Sequence, residues 1–336
     1  MIKYPVVNKR RCSGWKAPGI VLQMIDYEDV SAGGKLMLKN FKEMAELVKA
    51  NPVKKRIVLC CAHDEHSLDA VYEAFKEGVV EPVFVGKEDE IEKICADEGF
   101  DFGDVKIYNE DDDVEAAKTA VRLIREGEGD FLMKGRMQTS DLLRQVVNKE
   151  TGLQCGKIMS HVGLFQVPNY HKVVVLTDGG MLLAPNLEQK VKIINNAVDV
   201  LHALGYEDPK VAVICGAEVL NPKAQESVDA AALKEMNQKG EITGCTVEGP
   251  ISYDIALSKE IADFKKFESP VAGEADALIM PIMAAGNMLG KSWTVSGDGM
   301  MAGIIVGAKA PIVLTSRGSS AEEKFYSIAL AAAASI

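Results

Sequence analysis

The sequence predicts an α/β protein made of two doubly wound parallel-sheet domains. Three observations carry that expectation. From residue 36 onward, short apolar runs alternate with apolar stripes at helical spacing, the pattern of βαβ units in a parallel sheet. Between 150 and 185 the helical period lapses and Gly, Pro and Asn gather, after which the alternation resumes. The length of 336 residues suits two domains or one large α/β unit.

The elements follow in order. Phe41, Met44, Ala45 and Val48 stand at helical spacing. "RIVLCCA" (56–62) is a short apolar strand. Leu68, Val71, Tyr72 and Phe75 mark the next helix. "PVFVG" (82–86) reads as a strand, "EDEIEKICADEG" (88–99) as a helix stopped near Gly99, and "VKIYN" (105–109) as a strand. Val114, Ala117, Val121 and Ile124 form another helical stripe. "FLMKG" (131–135) is a strand, and "TSDLLRQVVN" (139–148) a helix started by a Thr or Ser cap. "HVGLFQVPNYHKVVVLTDGGMLLAP" reads as a hairpin and loops. Beyond it come a helix with Leu187, Val191, Ile194, Val198 and Leu201, the strand "VAVIC", and a helix over 222–238. "VEGPISYD" reads as a loop, 254–265 as a helix, "ALIMP" as a strand, and a helix starts at 284. "GIIVG" and "PIVLTS" are strands, and Phe325, Ile328, Ala329 and Ala332 are the last stripe. Residues 1–33, rich in Lys, Arg, Gly and Pro, have little period and read as a tail that wraps the body or a partner subunit.

Bulk properties exclude several classes. The formal net charge is −11, which repels nucleic acid and anionic membranes in the mean. Cationic contacts for an anionic ligand must therefore be local. No run of 18 apolar residues exists, and the N-terminus lacks an apolar signal core. The seven cysteines have no paired CxxC spacing and read as reduced thiols in a cytoplasm. Cys60 and Cys61, taken as mid-strand, read as core packing.

Two junctions carry most of the chemistry. "TSRGSS" (315–320) ends a strand with hydroxyls and an arginine, then enters a helix with Glu322 and Glu323 in its first turn. Free N–H groups at a helix start favour an anion, and Arg317 can clamp phosphate through two parallel bonds. Ser319 or Ser320 as a helix cap, with the glutamates favouring the dipole, is the plainer reading. It leaves Arg317 at the positive end of a helix unexplained. "MKGRMQTSDLLR" (133–144) repeats the theme: Lys134, Gly135 and Arg136, then a helix with Thr139 and Arg144. It is not a GxxxxGK[ST] loop. Asp178 in "LTDGG" either faces a ligand or makes a tight turn. Asn287 and Lys291 in "AAGNMLGK" share one helix face, as ligand contacts or as a cap and a surface lysine. "HDEH" (63–66) lacks further ligands and Asp64 fits a helix cap, so no metal site is expected.

"CAHDEHSLDAV", "LTDGGM", "VEGPISYD", "AGNMLGK" and "AGIIVGAKAPIVLTSRGSSAEEKFYSIALA" together resemble the phosphate acetyltransferase/phosphate butyryltransferase family, nearer the butyryl branch. The resemblance covers roughly residues 37–336. It implies two α/β domains with the active site between them, as in isocitrate and isopropylmalate dehydrogenases. The divisions are then 1–33, an N-terminal extension; 34–148 plus 303–336, domain 1; and 149–302, domain 2. It implies reversible transfer of a short-chain acyl group, butyryl or similar, between coenzyme A and inorganic phosphate. The partners would be those substrates and a second copy of the chain, as a homodimer or higher homo-oligomer. No tightly bound cofactor is implied. A serine–arginine pair of the acetyl branch falls on Ser316 and Arg317. A catalytic aspartate seven residues past that serine falls on Glu323, with Glu322 as its rival. The arginine of a "TxDxxR" helix falls on Arg144. Gly290 stands where "GNxxYK" has Tyr, which suggests a roomier acyl pocket. Acetyl-CoA as main substrate, a metal-dependent decarboxylating dehydrogenase and a regulatory CoA-binding protein are the alternatives.

Overall fold

The computed structural model describes residues 37–315 and 318–335. The 1–33 extension and the Ser316–Arg317 pair thus lie outside the described residues. Helix α1 (Phe41–Lys49) begins at Asn40, whose side chain accepts the Glu43 N–H, and buries the four apolar residues named above. Then follow β1 (Lys55–Cys60), α2 (Glu65–Lys76), β2 (Val80–Gly86), α3 (Glu88–Glu98) and β3 (Lys106–Asn109). Next come α4 (Asp113–Arg125), β4 (Phe131–Lys134) and α5 (Thr139–Val146). Asp64 caps α2 and Asp112 caps α4, as short acceptors at helix starts do.

The middle is the expected hairpin, β5 (Ser160–Gln166) and β6 (Val174–Thr177), paired antiparallel. After it come α6 (Leu187–Ala203), β7 (Lys210–Ile214), α7 (Gln225–Gln238), β8 (Thr246–Ile251), α8 (Tyr253–Leu257) and α9 (Lys259–Phe264). The chain ends with β9 (Ala277–Ile279), α10 (Met283–Ser296), β10 (Met300–Val306), β11 (Ile312–Val313) and α11 (Ala321–Ala334).

The eleven strands among the described residues form one sheet, in the order β3-β2-β1-β4-β11-β10-β5-β6-β9-β7-β8. The α/β class and the parallel pairing within each half are as expected. The two sheets are in fact one, because β10 pairs antiparallel with both β11 and β5. That ladder leaves no hydrogen-bonding edge at which the halves would separate. β10 also spans the expected domain limit at 302/303.

The segment "VEGPISYD", expected as a loop, supplies strand β8. Pro250 and Gly249 argued for a loop, but β8 is the outermost strand, and the register to β7 slips beside them. An edge strand with a bulge tolerates a residue that cannot donate to the ladder.

The helices distribute unevenly over the two faces. One face carries α1, α2, α3, α6, α7 and α11 over a single apolar cluster that runs from Phe84 to Val247. The opposite face carries two separate clusters. One lies under α4 and α5, with Leu142, Val146, Ile305 and Ile312. The other lies under α8, α9 and α10, with Phe165, Ile255 and Trp293. Between them the sheet face at β10 and β5 is bare of bulky aliphatics.

Two ion pairs lie in the interior, Lys172–Asp276 at 2.6 Å and Lys190–Asp229 at 2.7 Å. The second ties α6 to α7, and Gln225 Nε2 completes the Asp229 carboxylate at 2.7 Å. Removing one partner strands the other charge, so Asp229→Ala should cost about 3–5 kcal/mol. The joint change Lys190→Met with Asp229→Leu should come close to wild type. Denaturant unfolding of the two variants checks both expectations.

Candidate active site

The sense of the strand order switches between the parallel neighbours β1 and β4. The helices after β1 and β2 pack on one face, and those after β3 and β4 on the other. Open α/β sheets take ligands in the crevice outside the carboxyl ends of strands at such a switch. β11 runs parallel to β4 beside it, so the loops leaving β1, β4 and β11 open on the same edge.

The β1 and β4 loops touch through backbone. Gly135 N–H donates to the Cys60 carbonyl at 2.8 Å, and Arg136 N–H to the Cys61 carbonyl at 3.0 Å. A Cβ on Gly135 would stand 2.3 Å from the Cys61 carbonyl oxygen, so the approach requires glycine. Lys134 Nζ donates to the carbonyls of Gly135 and Met137 at 3.0 and 3.3 Å. Lys134 thereby braces the turn that leads from β4 into α5.

Helix α5 starts one residue earlier than its expected cap. Gln138 is the cap residue and gives no side-chain bond, while Thr139 and Ser140 are helical and exposed. Met137, buried against the Cys60 and Cys61 sulfurs at 3.5 and 3.8 Å, draws the chain into the helix at that point. No described side chain caps the start of α5, where the Asp141 N–H donates to the Gln138 carbonyl at 3.1 Å. Arg144 is exposed, with Nη1 3.2 Å from Asp141 Oδ1, a surface pair that holds the guanidinium only weakly.

Ser320 is the cap of α11. Its Oγ accepts from Glu323 N–H at 3.1 Å, and the Glu323 carboxylate accepts from Ser320 N–H at 3.2 Å. The plainer reading of that junction thus describes Ser320 and Glu323 as they stand, while Glu322 is exposed. A hollow of about 220 Å³ opens beside this helix start, lined by His66, Asp69, Gly318, Ser319, Ala321 and Lys324.

Asp178 is 1% exposed. Its carboxylate accepts from the N–H groups of Gly180 and Met181, both at 2.7 Å, His161 at 3.1 Å and Leu182 at 3.3 Å. The geometry is that of the turn-forming alternative: the carboxylate organises the loop after β6. Asn287 Nδ2 donates to the Gly179 carbonyl at 3.2 Å, so α10 is pinned to the same loop. Lys291 is exposed one turn further along α10. Asp178 and Asn287 thus form one group, and Lys134, Gly135 and Thr139 another. Met181 reaches from the first toward the second by packing on the α4–α5 cluster.

Several residues at these loops were read in the sequence but not taken as site candidates. His63 follows β1 and is 5% exposed, with its Nε2 3.9 Å from Asp113 Oδ1. Burial pushes its pKa below the usual imidazole value, so it carries no charge toward Asp113 at neutral pH. Cys61 lies past β1 in the left-handed region (φ 55°) and not mid-strand. The Cys60 thiol is pushed up by its contact with Cys61 and by burial, which suits packing rather than reactivity. Arg136 follows the glycine that the two loops require. Its place after a strand was the available signal. The space beside Gly290 is already taken: a Cβ there would stand 2.9 Å from the Phe165 ring. The roomier pocket expected from Gly290 is therefore filled. Phe165 in turn packs edge-on against Trp293 at 4.9 Å.

Residues 113–332 match the family model for phosphate acetyl/butaryl transferase. A phosphate butyryltransferase of Clostridium acetobutylicum is 45% identical over 296 residues, covering 88% of this chain and 98% of that protein. A phosphate acetyltransferase of Thermotoga maritima is 42% identical over 278 residues, covering 83% and 94%. The crystal structure of a branched-chain phosphotransacylase from Enterococcus faecalis superposes with a TM-score of 0.75 at 32% identity, covering 83% of this chain and 98% of that one.

Gly135→Ala forces the β1 and β4 loops apart and should cost roughly 1–3 kcal/mol. Gly216 has open space around it, and Gly216→Ala should stay within about 0.5 kcal/mol. Parallel thermal and urea unfolding of the two variants measures the difference.

Proposed function

The chain belongs to the phosphate acetyltransferase/phosphate butyryltransferase family, and on that premise we propose how its loops share the chemistry. The enzyme moves a short-chain acyl group reversibly between coenzyme A and inorganic phosphate. The observation that supports the site assignment is that the adjacent strands β1, β4 and β11 run parallel, so their loops leave on one edge of the sheet.

In the direction that makes acyl-CoA, the CoA thiolate attacks the acyl phosphate carbonyl. The carbon–sulfur bond forms, a tetrahedral oxyanion collapses, and phosphate leaves with the carbon–oxygen bond electrons. Ionising a thiol at pH 7 costs roughly 2 kcal/mol. A carboxylate base contributes about 10²–10⁴ in rate. One well-placed oxyanion donor is worth about 3–4 kcal/mol. The donors therefore outweigh the base. Ser316 and Arg317, outside the described residues, take the donor role on the family resemblance. Glu323 takes the base role, and must then give up its bond to the Ser320 N–H.

Arg144 takes a phosphate group, of the substrate or of CoA. Thr139 presents its hydroxyl to an anion, beside the turn that Lys134 braces and that Gly135 lets close on β1. Asp178, Asn287 and Lys291 shape the far side, Asp178 by holding its loop. Coenzyme A is a substrate, and no tightly bound cofactor is part of this reading. The proposed divisions remain 34–148 plus 303–336 and 149–302, in the manner of isocitrate and isopropylmalate dehydrogenases. The proposed setting is a cytoplasmic, fermentative homodimer or higher oligomer. No helix among the described residues is long and apolar enough to cross a membrane.

Phosphate-dependent thiol release from butyryl-CoA should be observed, with acetyl-, valeryl- and branched acyl-CoAs ranking the acyl preference. No release from any of them would overturn the reading. Arg317→Gln should lose about 10²–10³ in kcat, well beyond the loss in Glu323→Gln. Equal, mild losses in the two would refute the ordering. Arg144→Ala should raise KM for phosphate or for CoA, and unchanged constants for both would remove Arg144 from the site.

A further inference from the structure

The sheet face between the two helix clusters has an unusual composition. Along β5 that face shows His161, Gly163 and Phe165, and along β10 Ile305, Gly303 and Met301. The register pairs His161 with Ile305, Gly163 with Gly303, and Phe165 with Met301. Two glycines thus oppose each other in the centre of an eleven-stranded sheet. Glycine weakens a strand interior and marks places where another group must come close to the backbone.

The group lying there is the His161 imidazole. A Cβ on Gly303 would stand 3.0 Å from its Nε2, and one on Gly163 would stand 3.3 Å from its Cε1. From the other side Gly180 closes on the ring, where a Cβ would stand 3.1 Å from Cγ. Nδ1 is enclosed and has no hydrogen-bond partner among the described residues. Nor does Nε2 bond to a described side chain or carbonyl. The neighbouring carboxylate cannot serve, since Asp178 is filled by four backbone N–H groups, the one from His161 among them.

A side chain that only packs would not be chosen for this position. Three glycines give up side-chain contacts to hold a ring whose enclosed Nδ1 finds nothing to bond among the described residues. An unmet bond in such a place costs roughly 1–3 kcal/mol. Burial pushes the His161 pKa below the usual value despite Asp178, so the ring is neutral and offers one N–H donor.

The position relative to the reaction follows from the register. His161, Ile305 and Ile312 lie in a row across three neighbouring strands. That row spans about 10 Å, and β11 leads directly to the Ser316–Arg317 corner. Gly303 N–H also donates to Ser327 Oγ at 3.0 Å, and Ser327 Oγ donates to the Glu323 carbonyl at 2.7 Å. The glycine patch is therefore braced by the first turns of α11.

We infer that His161 is a substrate-contacting residue of this acyltransferase, its ring N–H donating to a carbonyl oxygen of the acyl-CoA arm over the Gly163–Gly303 patch. The inference rests on the acyl transfer proposed above and adds a residue to it. The carbonyl belongs either to the acyl group itself or to an amide of the pantetheine arm, and substrate kinetics separate the two.

His161→Ala is assayed in both directions against the wild-type enzyme. Loss of one neutral hydrogen bond should raise the relevant KM about 3- to 10-fold. If the acyl carbonyl is the acceptor, KM rises for butyryl-CoA and butyryl phosphate but not for CoA. If a pantetheine amide is the acceptor, KM rises for butyryl-CoA and CoA but not for butyryl phosphate. A change below twofold for all three, or a rise confined to inorganic phosphate, overturns the inference. A second measurement covers a variant that fails to fold. In the wild-type enzyme the ring nitrogens of His161, assigned by substituting the other four histidines in turn, are followed by ¹⁵N NMR as CoA or butyryl-CoA is added. A shift of the His161 ring signals on saturation supports the contact, and unmoved signals overturn it. That titration reads binding alone, so a wild-type enzyme that binds CoA but releases no thiol would refute the reaction without touching His161.

Discussion

Helix cover over the sheet is continuous on one face and broken on the other, and that break governs where a substrate can lie. On the covered face, α1, α2, α6 and α11 share one apolar cluster across both halves. Burial there is paid back at about 25 cal/mol per Å² of apolar surface, and it depends on no single helix. On the other face the α4–α5 cluster stops at Ile305 and the α8–α10 cluster starts at Phe165. What lies between is backbone, the His161 ring and the loop that Asp178 organises. A rigid, fully packed layer thus supports a strip that packing has left open. Preorganised sites need this combination, because their donors must not move when charge develops.

The electrostatics follow the same economy. A chain of net charge −11 must attract two anionic substrates. It does so with local groups rather than a basic surface. In the proposed site these are the start of α5, which no described side chain caps, and the guanidinium of Arg144, both acting over one turn of helix or less. At the start of α11, Ser320 and Glu323 cap each other, so that helix end is already satisfied within the chain. α5 has no such side-chain cap among the described residues, and the proposed anion site lies on its side of the crevice.

Most of the architecture was legible because period and burial agree. The α1 stripe is buried in full, and in α2, α4 and α6 the stripes are buried except for Tyr72, Phe75, Val114, Leu187 and Val191, which are half-buried. The hairpin at 160–177 announced itself by loss of helical period. The β8 strand was hidden because Gly249 and Pro250 obey edge-strand rules, and edge position is a property of the assembled sheet. The union of two expected sheets into one was hidden for a similar reason. A sequence shows strands, not the antiparallel pairing of β10 with partners 134 or more residues away, such as Gln166 opposite Met300. At the site, Gly135 and Thr139 were readable from their place after a strand. The role of Asp178 was left between ligand and turn, and only its four amide partners decide what its carboxylate does. His161 was missed because an isolated histidine in "HVGLFQ" has no partner in sequence. Its meaning comes from Gly303, 142 residues away.

The pairing of Gly163 with Gly303 also shows why local rules fail where function begins. Each glycine by itself reads as a weak point in a strand, and each would be better served by a β-branched residue on packing grounds. Such a residue at either position would collide with the imidazole, and the ring would then lose its seat on the sheet. The three positions are therefore one unit, and its stability is lower than an aliphatic layer would supply. A fold that departs from its own packing rules at a single coherent patch, beside the strand that leads to the reacting corner, has kept that patch for a ligand.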